Sequence, residues 1–157
     1  LLMQFIQNHD SMVDKVKMKV PDEDFIPHLF DEPRFEQKIN QYFMARIVNI
    51  QEFLNNTSFR EVDSYHPITL IVEDDFIPQN QGAYRIQGDG QIVSVNENEI
   101  DTKNAVFCNI QQLTQMLLSY KRPIELERLS LIKGNHNTIG QLEKLIPEKQ
   151  TYLPDFF

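Results

Sequence analysis

The stretch Phe43-Met-Ala-Arg-Ile-Val-Asn-Ile-Gln-Glu-Phe-Leu54 separates two parts of the chain that read differently. Its first half, Phe43 to Val48, is a short apolar run and predicts a strand. Asn49 then offers a side-chain acceptor to the first free amides of a helix, and Glu52, three residues on, has the spacing of a capping box. Ile50, Phe53 and Leu54 give that helix one apolar side.

Upstream of this border, Leu1, Leu2, Phe5 and Ile6 recur at helical spacing, and the chain opens inside an apolar run with no initiator Met. This reads as the cut edge of a longer protein. Asp14 to Val20 alternates, with Val16, Met18 and Val20 on one side and Lys15, Lys17 and Lys19 on the other, and predicts a half-buried strand with a solvated lysine face. Pro21-Asp-Glu-Asp24 has helix-start chemistry for a short helix toward Phe30, and Asp31-Glu-Pro-Arg34 predicts a turn.

Downstream, Pro67 to Glu73 is rich in β-branched residues and predicts a strand with Ile68, Leu70 and Val72 facing one way. Ala83 to Gln87 and Gln91 to Val95 flank Gly88-Asp-Gly90 as a hairpin, and Ala105 to Cys108 predicts a further strand. Asn109 with Gln112, and Thr138 with Gln141, have capping-box spacing. The first opens a helix with Ile110, Leu113, Leu117 and Leu118 on one side. The second opens one with Ile139, Leu142, Leu145 and Ile146, which Pro147 ends. A short helical stretch, Ile124 to Leu129, lies between them. Strand–helix, then strands, then helices imply an α+β domain, a mostly antiparallel sheet covered by helices. The tail closes on Phe156 and Phe157, which predicts a docked terminus.

The formal charge of −8 over 157 residues argues against general affinity for nucleic acid or anionic membranes. One cysteine, Cys108, excludes an intrachain disulfide and suits a reducing cytoplasm. Cys108 sits among Val106, Phe107 and Ile110, as a small core residue does rather than a nucleophile. No phosphate-cradling glycine motif is present, and His9, His28, His66 and His136 lack partners at metal-ligand spacing, so no metal is predicted. Glu73-Asp-Asp75 reads as a solvent-facing acidic turn, with cation binding as the alternative.

Several of these stretches together resemble the C-terminal part of the Eis-like (enhanced intracellular survival) acetyltransferases of the GNAT superfamily. They are Met44-Ala-Arg-Ile-Val-Asn-Ile50 with Phe53-Leu54, Ile68-Thr-Leu-Ile-Val-Glu-Asp74, the turn with Pro78, Asn80, Gly82 and Tyr84, the helix Ile110 to Leu118, and Pro154-Asp-Phe-Phe157. The resemblance implies a sterol-carrier-protein-like domain over 43–157, preceded over 1–42 by the end of a GNAT-like domain. It implies a bacterial, cytoplasmic, acetyl-CoA-dependent N-acetyltransferase whose acetyl-CoA site lies upstream of this chain. The acceptor would be an amine, an aminoglycoside or a lysine side chain, and the assembly a homo-oligomer such as a hexamer. It assigns the terminal carboxylate of Phe157 as general base, with Asp155 and Phe156 beside the substrate. Alternatives are a lipid-carrier module and a structural oligomerisation domain; this segment alone encodes no complete catalytic set.

Overall fold

The computed structural model describes residues 2–21, 24–32, 34–40, 43–63, 65–88, 90–148 and 151–153. These fall into two units, one within 1–42 and 152–157, the other within 43–151.

In the first unit, helix α1 (Leu2–Gln7) carries no buried residue. The ring of His9 lies 4.4 Å from that of Phe5, and its Nδ1 is 2.7 Å from the Phe5 carbonyl oxygen. A single 3-10 turn, Ile26–Leu29, stands where the short helix is predicted, with Asp24 Oδ1 accepting from the Ile26 amide at 2.7 Å. The alternation over Asp14–Val20 does not become a strand. Val16, Met18 and Val20 are all exposed, so neither side of the segment is half-buried. Alternation supplies the two faces of a strand, and a ladder partner must supply its hydrogen bonds.

The second unit holds a five-stranded sheet in the order β3-β2-β1-β4-β5. Its strands are β1 (Ile68–Glu73), β2 (Gly82–Ile86), β3 (Ile92–Val95), β4 (Ala105–Asn109) and β5 (Lys133–Gly134). β1, β2 and β3 form an antiparallel meander, with Leu70 opposite Tyr84 and Tyr84 opposite Ser94. β4 joins the other side of β1 in parallel, Leu70 beside Val106, and β5 closes that edge antiparallel to β4. Gly90, at φ +82°, makes the β2–β3 turn in a conformation that favours glycine.

Strand alternation puts Ile68, Leu70, Val72, Tyr84, Ile86, Val106 and Cys108 on one face. Helices α2 (Ile50–Asn55), α3 (Ile110–Leu117), α4 (Pro123–Arg128) and α5 (His136–Leu145) lay their apolar residues against that face. Each large side chain buried there contributes about 1.5–3 kcal/mol. α3 opens on the predicted capping box: Asn109 Oδ1 accepts from the Gln112 amide, Gln112 Oε1 accepts from the Asn109 amide, both at 3.0 Å.

Three local expectations change. Phe43–Val48 is irregular rather than a strand; Ile47 alone turns inward, its amide donating to Thr114 Oγ1 at 3.4 Å. Asn49 does cap α2 through the Glu52 amide at 3.1 Å, but Glu52 turns its carboxylate to the Asn49 side chain at 3.4 Å. α5 is capped by Asn135, which accepts from the Asn137 amide at 2.9 Å, and Thr138 is buried inside the helix.

Candidate functional site

Phe157, Phe156 and Asp155, the residues predicted to touch the substrate, lie outside the described residues. The described residues contain three features that bear on function: a polar hub at the start of the second unit, a sealed apolar layer under α3, and a second hub where the tail leaves α5.

The first hub corrects the reading of Glu73-Asp-Asp75 as a solvent-facing turn, since Asp74 is 1 % exposed. Its Oδ1 accepts from the amides of Phe76 at 3.0 Å and Ile77 at 2.9 Å, and from Arg46 Nη2. Its Oδ2 accepts from Asn80 Nδ2 at 3.0 Å. Burial alone pushes its pKa up, but the bonds from Asn80, Ile77 and Phe76 and the charge of Arg46 outweigh that and hold it at about 2. Asn80 passes the connection on. Its Oδ1 accepts from the Ile50 amide at 3.2 Å, and its carbonyl accepts from Tyr84 Oη at 2.9 Å. Asp74 therefore ties Arg46 to the sheet through fully satisfied bonds, with no capacity left for a cation. The local signal was an Asx turn, an Asp followed by free amides at the second and third positions.

The apolar layer under α3 bears on the lipid-carrier alternative. Leu113, Met116, Leu70 and Val106 are 0 % exposed, with Ile110 and Val72 at 1 %. These side chains pack closely against one another in a single core. Cys108 lies in the same layer. Burial, with the charge of Glu73 adding to it, pushes its thiol up to about 12, which makes it inert, as its apolar neighbours predict.

The second hub centres on Arg122, which the sequence reading missed because no motif marks it. Its Nε donates to Glu143 Oε1 at 2.6 Å, and Nη1 donates to the Pro147 carbonyl at 2.8 Å and the Ile146 carbonyl at 3.3 Å. Nη2 donates to the carbonyls of Glu143 and of Ile146. The guanidinium thus satisfies carbonyls that the end of α5 leaves free, where positive charge is favourable. Ser119 Oγ also donates to the Pro147 carbonyl, at 2.6 Å. Beside the hub, a cleft of about 370 Å³ is lined by both signs of charge, among them Arg60, Asp63, Lys144 and Glu148. No three His, Cys, Asp or Glu side chains gather at metal-binding distance among the described residues, and no described helix is long and apolar enough to cross a membrane.

Residues 50–154 match the sterol carrier protein domain family, and residues 1–47 match the acetyltransferase (GNAT) domain family. No curated protein is similar enough to count as a relative. Among solved structures, a protein of Enterococcus faecalis described as a probable N-acyltransferase is 25 % identical over 99 % of this chain and 39 % of its own, with a TM-score of 0.75. A GCN5-related N-acetyltransferase of Anabaena variabilis is 22 % identical with a TM-score of 0.81, covering 99 % of this chain and 39 % of that one. Eis1 of Mycobacterium abscessus is 20 % identical with a TM-score of 0.72, over 87 % and 34 %. The chain thus spans about two fifths of the length of these proteins or less. With two thirds of its residues inside one family model, and an acetyltransferase match running directly into it, the chain belongs to the sterol carrier protein domain family as it occurs next to GNAT domains.

Proposed function

We propose that this chain is the C-terminal portion of an Eis-like, acetyl-CoA-dependent N-acetyltransferase that acts on a primary amine. The observation that carries the reading is the uninterrupted succession of an acetyltransferase match over 1–47 and a sterol-carrier match from residue 50. In this reading 1–42 completes a GNAT-like domain, and 43–157 is a scaffold that delivers the chain end to a catalytic centre lying upstream of this segment. The closed apolar layer under α3 supports a scaffold over a lipid carrier.

The terminal carboxylate of Phe157 is the general base, with Asp155 and Phe156 lining the acceptor. The acetyl-CoA co-substrate, held by the upstream domain, supplies the acyl group. The carboxylate takes a proton from the acceptor ammonium and leaves a nucleophilic amine. An α-carboxyl titrates near 3.3–3.7, and a base working at neutral pH does best at about 6–7. Raising it by about 3 costs on the order of 4 kcal/mol, which desolvation beside Phe156 and the Phe157 ring would supply. The acceptor is an aminoglycoside-like amine or a lysine side chain, and the enzyme is a cytoplasmic homo-oligomer.

Deleting Phe157 from the enzyme that ends in this chain tests the assignment. Turnover should fall while acetyl-CoA affinity stays nearly constant, and unaltered turnover would remove the general-base role.

A further inference from the structure

We propose that Arg122 is a positioning residue for the C-terminal tail, fixing the point from which the chain end departs. The proposal rests on the reading that the Phe157 carboxylate acts in catalysis, but its structural half can be tested without activity. Arg122 follows α3 in sequence, and its side chain reaches across to the far end of α5. There it holds the carbonyls of Glu143, Ile146 and Pro147 together with the Glu143 carboxylate. Glu143 is fixed from a second side, since its Oε2 accepts from the Ile124 amide at 3.1 Å. The arginine is therefore wedged between two elements rather than lying on one.

Three further contacts pin the same few residues of the tail. Ser119 Oγ donates to the Pro147 carbonyl at 2.6 Å, Arg60 Nη1 to Glu148 Oε1 at 2.6 Å, and the Thr151 amide to the Leu118 carbonyl at 3.3 Å. A helix end that merely frays needs none of these. Three side-chain donors, from Arg122, Ser119 and Arg60, converge on Pro147, Glu148 and the end of α5, and Pro147 itself has no amide to compete with them.

Chain geometry gives the consequence. From the anchor at Thr151 to Phe157 the tail has six residues, so the terminal carboxylate reaches at most about 20 Å. With the anchors released, the free tail begins after Ile146 and has eleven. The effective concentration of the chain end at any fixed target then falls about 2.5-fold from length alone, as the inverse three-halves power.

The test uses the full 157-residue chain with a nitroxide on Tyr120→Cys, a half-exposed position beside Ser119, Cys108 being buried and unreactive. Paramagnetic broadening of the Thr151 amide, held by the Leu118 carbonyl, should be strong in the parent. It should fall at least twofold in Arg122→Met. Because Arg122→Met also uncaps α5 and could unfold it, the double variant Ser119→Gly with Arg60→Gln is measured alongside. It removes tail contacts and leaves the bonds from Arg122 to α5 intact, and should show a smaller release in the same direction. Unchanged broadening in both variants overturns the proposal. In the full-length enzyme, Arg122→Met should lower kcat by up to about 2.5-fold, and the double variant by less, with KM for acetyl-CoA unchanged. A released tail with unchanged kcat would leave Arg122 as the anchor and overturn the general-base reading instead.

Discussion

Arg46 and Asp74, twenty-eight residues apart, form an ion pair in which the carboxylate is wholly buried and the guanidinium about one third exposed. The carboxylate also takes two backbone amides and the Asn80 side chain, so its removal strands several donors at once. Asp74→Ala should destabilise the second unit by about 3–5 kcal/mol in urea unfolding. Arg46→Met should cost far less, because that side reaches solvent. Equal losses for the two variants would contradict the hub.

The same carboxylate sets an acid limit. Its pKa is about 2 in the folded chain against an ordinary 3.8, so the folded state binds the proton more weakly than the unfolded one. The stabilisation is present above pH 4 and is lost as pH falls through 3.8 toward 2. It amounts to at most about 2.5 kcal/mol. Urea midpoints measured from pH 5 down to pH 2 should fall in the parent more steeply than in Asp74→Asn.

Cys108 should be silent to thiol reagents in the native state. With its thiol pushed up to about 12 by burial, the thiolate fraction at pH 8 is on the order of one in ten thousand. Iodoacetamide labelling should therefore follow the urea unfolding curve. Labelling of the folded protein at the rate of a free cysteine would place the thiol at the surface.

Gly134 lies against β4 so closely that a Cβ would stand 2.7 Å from the Ala105 carbonyl oxygen and 3.4 Å from Val106 Cα. Both are backbone atoms of a paired strand and have little room to move. Gly134→Ala should cost about 1–3 kcal/mol, read as a lower thermal midpoint.

The helix caps provide a graded check. Asn135→Ala removes the acceptor at the start of α5 and should cost about 1 kcal/mol, whereas Gln141→Ala should stay within about 0.5 kcal/mol. The reverse order would restore Thr138 as the cap.

The strands from Ile68 to Asn109 and the helices that follow were legible because period and residue type agree there: β-branched alternation for the sheet, apolar spacing of three and four for α3 and α5. Elsewhere pattern alone misled. Phe43–Val48 and Asp14–Val20 have the composition of strands, yet strand formation depends on a neighbour that local sequence does not name. Thr138 and Asn135 both look like caps, and the β5 pairing of Gly134 decides between them by fixing where the chain turns. Asp74 was hidden by its acidic neighbours, and Arg122 by standing alone: its acceptors lie 21 to 25 residues away. Of the candidate site, the three residues proposed to face the substrate were named by resemblance rather than by chemistry visible in the chain.

The parallel pairing of β1 with β4 also dictates an order of assembly. β1, β2 and β3 close through short connections, whereas β4 reaches β1 only after the chain has passed through the whole meander. Until then one edge of Ile68-Thr-Leu-Ile-Val-Glu73 has unpaired amides and carbonyls on a strongly apolar strand. Such an edge invites pairing with another chain. The step most exposed to aggregation during synthesis is therefore the arrival of Ala105–Asn109, and a mutation that delays it would lower the yield of soluble protein without weakening the finished fold.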